Sequence, residues 1–286
     1  MVLGGGPGWH QDQLSSAATD LNVEVAFEPY EALLAVVERT GQRVIAGNEP
    51  LDRFDAVLTR TMPAGSMESI TARLSMLHRS VDSKIHVINS PSALEAAIDK
   101  YTTVSIADRL GIETPATAIA QDRTAALGQF ESLGGDVVVK PIFGGEGRGV
   151  MRITERELAR TVFGTLQTAG LVIYQQRFEP PGGRDGRVLI LGEQTLGLRR
   201  RNDQDFRTNR SAGGVATPWS IPKELDDASR RLTDAMGLTI AAVDWIETDD
   251  GWKLIEVNAI PGWRSAQTVV DANIARGVVT AALQGV

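Results

Sequence analysis

Two groups of residues in this chain could do chemistry, and neither needs a thiol or an imidazole. The first is Lys140-Pro141-Ile142-Phe143-Gly144-Gly145-Glu146-Gly147-Arg148-Gly149, a basic side chain followed by a run of glycines. It is not a P-loop, since no Gly-Lys-Ser/Thr follows and no helix pattern opens there. Strand patterns flank it, so it reads as a flap at a hairpin tip. Glycines without Cβ let backbone N–H groups approach phosphate oxygens, and Lys140 can reach the same phosphates as a point charge. A mobile hairpin loop with a surface lysine is the plain alternative, and this segment alone does not choose between them.

The second group is Asp244, Glu256 and Asn258. Residues 256 and 258 share one face of a strand because side chains alternate with period two. Asp244 joins them only in one register. A two-residue Asp250-Gly251 turn would oppose it to Val257, on the wrong face. A three-residue loop Asp249-Asp250-Gly251 with Gly251 left-handed opposes it to Glu256, and this is the expectation. Three oxygen donors without histidine or thiolate suit magnesium shared with nucleotide phosphates. Solvent-facing acids on an edge hairpin are the competing reading, which leaves unexplained why Asn258 ends an apolar strand. The run Arg199-Arg200-Arg201, with residues 199 and 201 on one face and Arg200 on the other, is read by default as a solvated charge run, the alternative being that one face, with Arg207 and Arg210, holds a polyanionic acceptor.

The elements that must hold these residues follow an α/β order. Up to residue 89, the apolar runs Val23–Phe27, Ala56–Leu58 and Ile85–Ile88 alternate with helix patterns such as 66–81, giving an open, mostly parallel domain. Residues 90–172 form a small central α+β unit. It contains helices at 93–98 and up to 110, strands 116–120, 137–140 and 150–153, and a helix opened by a capping box at Thr154-Glu155-Arg156-Glu157. Residues 173–286 turn antiparallel, with strands at 171–178, 187–191, 195–201, 240–247 and 252–258. A helix covers 223–236 and a last one runs from 265 to 283.

Composition narrows the function. The chain has 286 residues, 42% hydrophobic, enough for a large core and two or three units. A net charge of −7 argues against a nucleic-acid partner. The absence of cysteine removes thiolate nucleophiles and zinc-thiolate sites, and His10, His78 and His86 are too scattered for a local metal motif. No apolar run could span a bilayer and no secretory leader opens the sequence, so a cytoplasmic enzyme without membrane partners is expected. Gly4-Gly5-Gly6-Pro7-Gly8 is not a dinucleotide fingerprint. It reads as a tight turn at a strand's carboxyl end, where it could shape a substrate pocket.

Lys100 after Asp99, Val139-Lys140-Pro141 with its glycine flap, Gly183-Arg184-Asp185-Gly186-Arg187, Asp205-Phe206-Arg207-Thr208-Asn209 and Glu256-Val257-Asn258-Ala259-Ile260-Pro261-Gly262 occur in that order. Together, across residues 85 to 270, they resemble the RimK-like branch of the ATP-grasp superfamily. The resemblance implies an ATP-grasp fold that clamps a nucleotide between two antiparallel sheets. It also implies ligation of a carboxylate to an amine such as glutamate through an acyl phosphate, with ATP and Mg2+ (or Mn2+) as cofactors.

Carried over by position, it implies that Lys100 and Lys140 hold phosphates under Gly144, Gly145 and Gly147. Gln176 and Arg177 fall on the adenine-side hinge, and Asp185 meets the ribose, with Arg187 beside the nucleotide. Arg207 and Asn209 face the γ-phosphate and the acyl group as catalytic residues, and Asp244, Glu256 and Asn258 bind magnesium. Two places depart from the family pattern. The hinge reads Gln175-Gln176-Arg177-Phe178 where a glutamate followed by an apolar residue is common. Trp263-Arg264 follows Pro261-Gly262 where relatives are often small. The opening Gly6-Pro7-Gly8-Trp9-His10 resembles the branch associated with tetrahydromethanopterin metabolism. The expected partners are a small-molecule or peptide carboxylate and an amino acid, with a homo-oligomer left open. The competing function is a nucleotide-binding scaffold that has lost turnover.

Overall fold

The computed structural model describes residues 1–39, 41–144 and 147–284. The N-terminal sheet is parallel, in the order Phe27–Glu28, Val2–Leu3, Val57–Thr59, Val87–Ile88. Its strands are short, and the flanking helices Trp9–Asp20 and Met67–Asp82 bury Leu14, Ala17 and Leu77. Ser66 starts the second of these helices by accepting from the Ser69 N–H. Of the run expected to be a strand at 23–27, only Phe27 pairs. The antiparallel hairpin Leu33–Glu38 and Gly41–Ala46, followed by Glu49–Pro50, was not legible in the sequence. Its first strand leaves Leu34 and Val37 exposed, and its second reaches the core only at Val44 and Ala46, so the inward alternation is too short to mark a strand.

The central sheet is antiparallel, in the order Met151–Ile153, Val137–Lys140, Ile173–Arg177, Thr117–Ala120. Helices Arg123–Ser132 and Arg156–Thr168 cover one face, packing Ala126, Phe130, Ala159 and Phe163 on Val137, Val139, Ile153 and Ile173. Two expectations change here. The strand Ile173–Arg177, assigned by sequence to the third unit, hydrogen-bonds within the central sheet, so that sheet runs past residue 172. The capping box at Thr154 does not form: the helix begins at Arg156 with Glu155 as N-cap and no side-chain cap, one residue too late for Thr154.

The third sheet has five antiparallel strands in the order Val215–Pro218, Gln194–Arg201, Pro181–Leu191, Ile240–Thr248, Gly251–Asn258. Helix Lys223–Ala235 packs Leu225 and Leu232 into a core with Val188, Trp245 and Leu254. Helices Pro91–Ile98 and Lys100–Arg109 contribute Ala93, Leu94, Ile106 and Ala107 to that same core. Residues 91–109 therefore pack with the first and third sheets, although the sequence placed them in the central unit. The last helix is also shorter than expected, Ile274–Leu283, preceded by a 3-10 turn at Ala266–Thr268. Gln267 holds the break by donating to the Ala272 carbonyl and accepting from the Ile274 N–H. Asn273 then caps the helix through the Arg276 N–H.

Candidate active site

The hairpin that carries the acids reaches the expected pairing by a different route. Its loop has two residues, Asp249 and Asp250, because Thr248 pairs with Gly251. Thr248 stabilises the loop, its hydroxyl donating to the Gly251 carbonyl and accepting from the Asp250 N–H. An unbroken ladder from that turn would oppose Asp244 to Ile255. A bulge between Trp245–Leu254 and Asp244–Glu256 leaves Ile255 unpaired and restores the Asp244–Glu256 pair. Leu254 and Val257 still enter the core, while Ile255 and Glu256 both line the cleft. The expected three-residue loop is therefore wrong, and the register it was meant to explain is right.

That cleft, of about 180 Å³, lies between the central and third sheets. It is lined by Lys100, Lys140, Gly144, Gly147, Gln176, Arg177, Asp185, Arg187, Arg207, Asn209, Asp244 and Glu256. The expected residues outside this set are Asn258 and Gly145, and Gly145 lies outside the described residues. Gly147 has φ +70°, and a Cβ there would stand 2.8 Å from the Asn209 amide oxygen, so flap and loop meet at a position only glycine fits.

The two lysines are half-buried and have no carboxylate partner among the described residues. Lys140 donates to the Gln176 side-chain oxygen at 2.6 Å, and Lys100 donates to the carbonyls of Gly144 (2.9 Å) and Ile142 (3.3 Å). Burial pushes the Lys140 ammonium down to about 8, with Glu256 opposing and Lys100 adding to the drop. Lys100 is lowered for the same first reason, against the pull of Glu256 and Asp99. The Glu256 side chain makes no hydrogen bond or ion pair with a described residue. Two desolvated cations with polar but neutral partners fit the phosphates of a nucleotide.

The neighbouring charges are arranged differently. Arg187 forks onto Asp244 at 2.7 and 2.6 Å, and Arg200 forks onto Asp185 at 2.6 and 2.7 Å while reaching Asp244 at 3.1 Å. Thr208 also donates to Asp185. These are cross-strand partners: Arg187 stands opposite Asp244 and Asp185 opposite Arg200. Burial works to raise the Asp244 carboxyl, but Arg187 and Arg200 outweigh it and hold it below the usual range. Both oxygens of Asp244 are thus engaged, as are those of Asp185. Glu256 fits a hard cation as it stands, and Asn258 fits one through the lone pair its Oδ1 keeps beside the Ile260 N–H. Asp244 fits one only if an arginine yields, and the expected ribose contact of Asp185 has no open oxygen behind it.

Arg200 is the main residue the sequence analysis missed. Its opposite facing to residues 199 and 201 was readable, but which face looks inward was not. Arg199 instead pairs with Glu247, and Arg201 with Asp203 at the surface. Glu179 was also missed: it lines the cleft, is 7% exposed and accepts from Lys253 (2.8 Å) and Arg177 (2.9 Å). Arg207, expected to face the γ-phosphate, is folded back onto Asp205 at 2.6 Å.

A second, larger cavity of about 1460 Å³ opens toward the N-terminal domain, between the Gly4–Gly8 turn and the Asn258–Ser265 segment. Gly144, Arg148, Arg187, Arg200, Asn209 and Glu256 line both cavities and so mark their junction. Asn258 lines the larger one only. Its side-chain oxygen accepts from the Ile260 N–H at 2.9 Å. The arrangement can place a phosphate-bearing group on one side of Glu256 and an acceptor on the other.

Known proteins share this plan. The RimK-like ATP-grasp domain model matches residues 97–282. The tetrahydromethanopterin:alpha-L-glutamate ligase of Methanococcus maripaludis is 31% identical over 230 residues, covering 76% of this chain and 77% of that protein. The alpha-aminoadipate–LysW ligase LysX of Saccharolobus solfataricus is 31% identical over 207 residues, 70% of this chain and 75% of that protein. The structure of the ATP-grasp ligase PsnB, complexed with a phosphomimetic variant of its minimal precursor, Mg and ADP, superposes with a TM-score of 0.76. It covers 99% of this chain and 96% of that one at 18% identity, a likeness of fold. With most of its length matched by the family model and its motifs gathered at one cleft, the chain belongs to the RimK-like ATP-grasp family.

Proposed function

We propose that this chain ligates a substrate carboxylate to the amine of an amino acid, with L-glutamate the first candidate, using Mg-ATP. The observation that carries the reading is the junction at Glu256. Two lysines without carboxylate partners lie on its nucleotide side, and a cavity large enough for a substantial substrate lies on the other. ATP supplies the phosphoryl group that activates the carboxylate, and magnesium supplies charge neutralisation as it passes.

The protein's part is positioning and electrostatics. Lys100 and Lys140 hold the phosphates, and Gly144 and Gly147 bring backbone close to them. Gln176 keeps the Lys140 head aimed into the cleft through its 2.6 Å hydrogen bond. Glu256 and Asn258 would hold the cation, and Asp244 could join them only with Arg187, now forked onto it, turned toward the phosphates. Asn209, packed on Gly147 at the junction, positions the flap over the acyl group. Arg177 lies at the hinge, and Arg207 must leave Asp205 to act. Mn2+ is expected to replace Mg2+, since an all-oxygen set accepts either. Among the described residues no helix is long and apolar enough to cross a membrane, and the nucleotide requirement points to a cytoplasmic setting.

The relatives named as glutamate ligases support glutamate as the amine. The test is ADP release from Mg-ATP in a matrix of amino acids and carboxylates. Release that needs both partners, with a product heavier by one amino-acid residue, is the expected result. Nucleotide binding without turnover across the whole matrix would return the chain to the scaffold reading.

A further inference from the structure

The larger cavity holds a cation that the ligase chemistry at Glu256 does not use. Arg60 follows the strand Val57–Thr59, at the carboxyl end of the parallel sheet, where open α/β sheets bind ligands. It is 6% exposed, yet no carboxylate lies within 4.0 Å of its guanidinium among the described residues. One nitrogen, Nη2, donates to the Pro261 carbonyl at 3.1 Å, and the guanidinium carbon sits 4.6 Å from the centre of the Trp263 ring. Nε and Nη1 have no hydrogen-bond acceptor among the described residues. A buried guanidinium with one neutral partner and a ring face is a charge left without its counter-ion.

The surroundings favour an anion. His10 lines the same cavity and accepts at Nε2 from the Trp263 N–H at 3.3 Å, so the neutral ring carries its proton on Nδ1 and is a donor there. Burial keeps that ring neutral, with Arg60 and Arg264 adding to the effect. Helix Trp9–Asp20 begins at the cavity behind Gly8, with no side-chain cap on its first N–H groups. Arg264 lines the wall as well, its guanidinium 5.8 Å from the Trp9 ring centre.

We propose that Arg60, with His10 and the open first turn of helix Trp9–Asp20, seats a second, non-reacting oxyanion of a ligated substrate. The reacting carboxylate belongs at the Glu256 junction, and Arg60 fixes the other end of the molecule. This assignment rests on the ligase reading. The group is a carboxylate or a phosphate, which share the planar or tetrahedral oxygens that a guanidinium edge and helix N–H groups recognise.

The experiment uses the full chain saturated with Mg2+ and the non-hydrolysable nucleotide AMPPNP, so that the phosphate site is filled, and titrates L-glutamate or inorganic phosphate by thermal shift. Wild type is expected to respond to one probe, and which one tells carboxylate from phosphate. Arg60→Met should raise the half-saturating probe concentration by at least about tenfold, and Arg60→Lys by less, because it keeps the charge without the fork. Without probe, Arg60→Met should melt within about 4 °C of wild type, because it removes an uncompensated buried charge. In turnover, Arg60→Lys should raise KM for one substrate and leave kcat near wild type. Equal probe responses in wild type and Arg60→Met would overturn the proposal, as would no wild-type response to either probe. A collapse in melting temperature of both variants would do the same, by making the arginine structural. Failure of AMPPNP to stabilise wild type would instead strike the ligase reading first, and is read separately before any probe is added.

Discussion

Two sets of charges lie within one cleft and obey opposite rules. Arg187, Arg200, Asp185 and Asp244 form a closed group of two positive and two negative side chains, forked onto one another across strands. Lys100 and Lys140 are half-buried and end on carbonyls and an amide. A closed group contributes little net stability relative to apolar packing, but removing one member strands the others. An open charge costs stability until a ligand arrives. On the ligase reading an anion would compensate the open cations directly, whereas Asp244 and Arg187 are first committed to each other and would serve the site only by exchanging partners.

The sharpest break of this comparison is a pair of acids that face each other across the hairpin. Glu256→Gln should leave folding intact, since Glu256 has no ion pair among the described residues, while ADP release falls about 10²–10³-fold or more. Lys140→Met should act alike: Mg-ATP stabilisation lost, melting temperature without ligand unchanged or higher. If either variant melted far below wild type, the open set would be structural after all.

Asp244→Asn and Arg200→Met test the other set. Each removes one charge from the closed group and leaves a buried partner short, so each should lower unfolding stability by about 3 kcal/mol in urea. Turnover falls with it, and the two losses are separable by assaying well below the melting temperature. Sequence alone suggests that Asp244→Asn would behave like Glu256→Gln. The structure divides them, because Arg187 and Arg200 both close on Asp244 and neither reaches Glu256. Stability equal to wild type in Asp244→Asn would erase the distinction.

How much of this was legible follows from where each signal lives. Period two placed Glu256 and Asn258 on one face and Arg200 opposite its neighbours, and those alternations hold because they are local. The inward face was not legible, because it depends on which strand lies next door, and Asp185 is the cross-strand partner of Arg200 only once the sheet is assembled. The bulge at Ile255 left no mark either. An isoleucine there looks like any strand residue, and the Asp249-Asp250-Gly251 sequence offered a turn that gave the same register for the wrong reason. Strand Ile173–Arg177 was visible as a strand, but its place in the central sheet is a long-range fact. The order of the motifs carried the family and the cleft, whereas the pairing of each carboxylate is set by strands that are neighbours only in the folded sheet.

The larger cavity sharpens the comparison at lower cost to the fold. Trp9 and His10 pack edge to face, with ring centres 4.9 Å apart, and His10 meets the buried Trp263 at 4.7 Å. His10→Gln should keep the nucleotide response, since His10 is absent from the nucleotide cleft, and raise KM for one substrate by about tenfold through loss of one hydrogen bond to a charged group. An unchanged KM for both substrates, measured at saturating Mg-ATP, would leave His10 as packing for Trp263.

The mildest effect is a pH dependence that runs in opposite directions for binding and for stability. Lys140 titrates near 8 in the folded chain against an ordinary 10.5, because burial disfavours its charge. Below pH 8 the group is protonated whether the chain is folded or not, and the cost of holding a charge in the cleft is paid in full. Between about 8 and 10.5 the unfolded chain binds the proton that the folded chain has released, so the contribution of this lysine to stability rises with pH. Phosphate binding needs the ammonium form, so kcat/KM for Mg-ATP should fall above pH 8, by up to about tenfold per unit. Lys140→Arg stays charged throughout and should flatten that limb even if its activity is lower. Lys140→Met should remove the matching rise in urea stability between pH 7.5 and pH 9.5. A kcat/KM profile that keeps the same descending limb in Lys140→Arg would assign the titration to another group, and with it the claim that this cation waits uncompensated for phosphate.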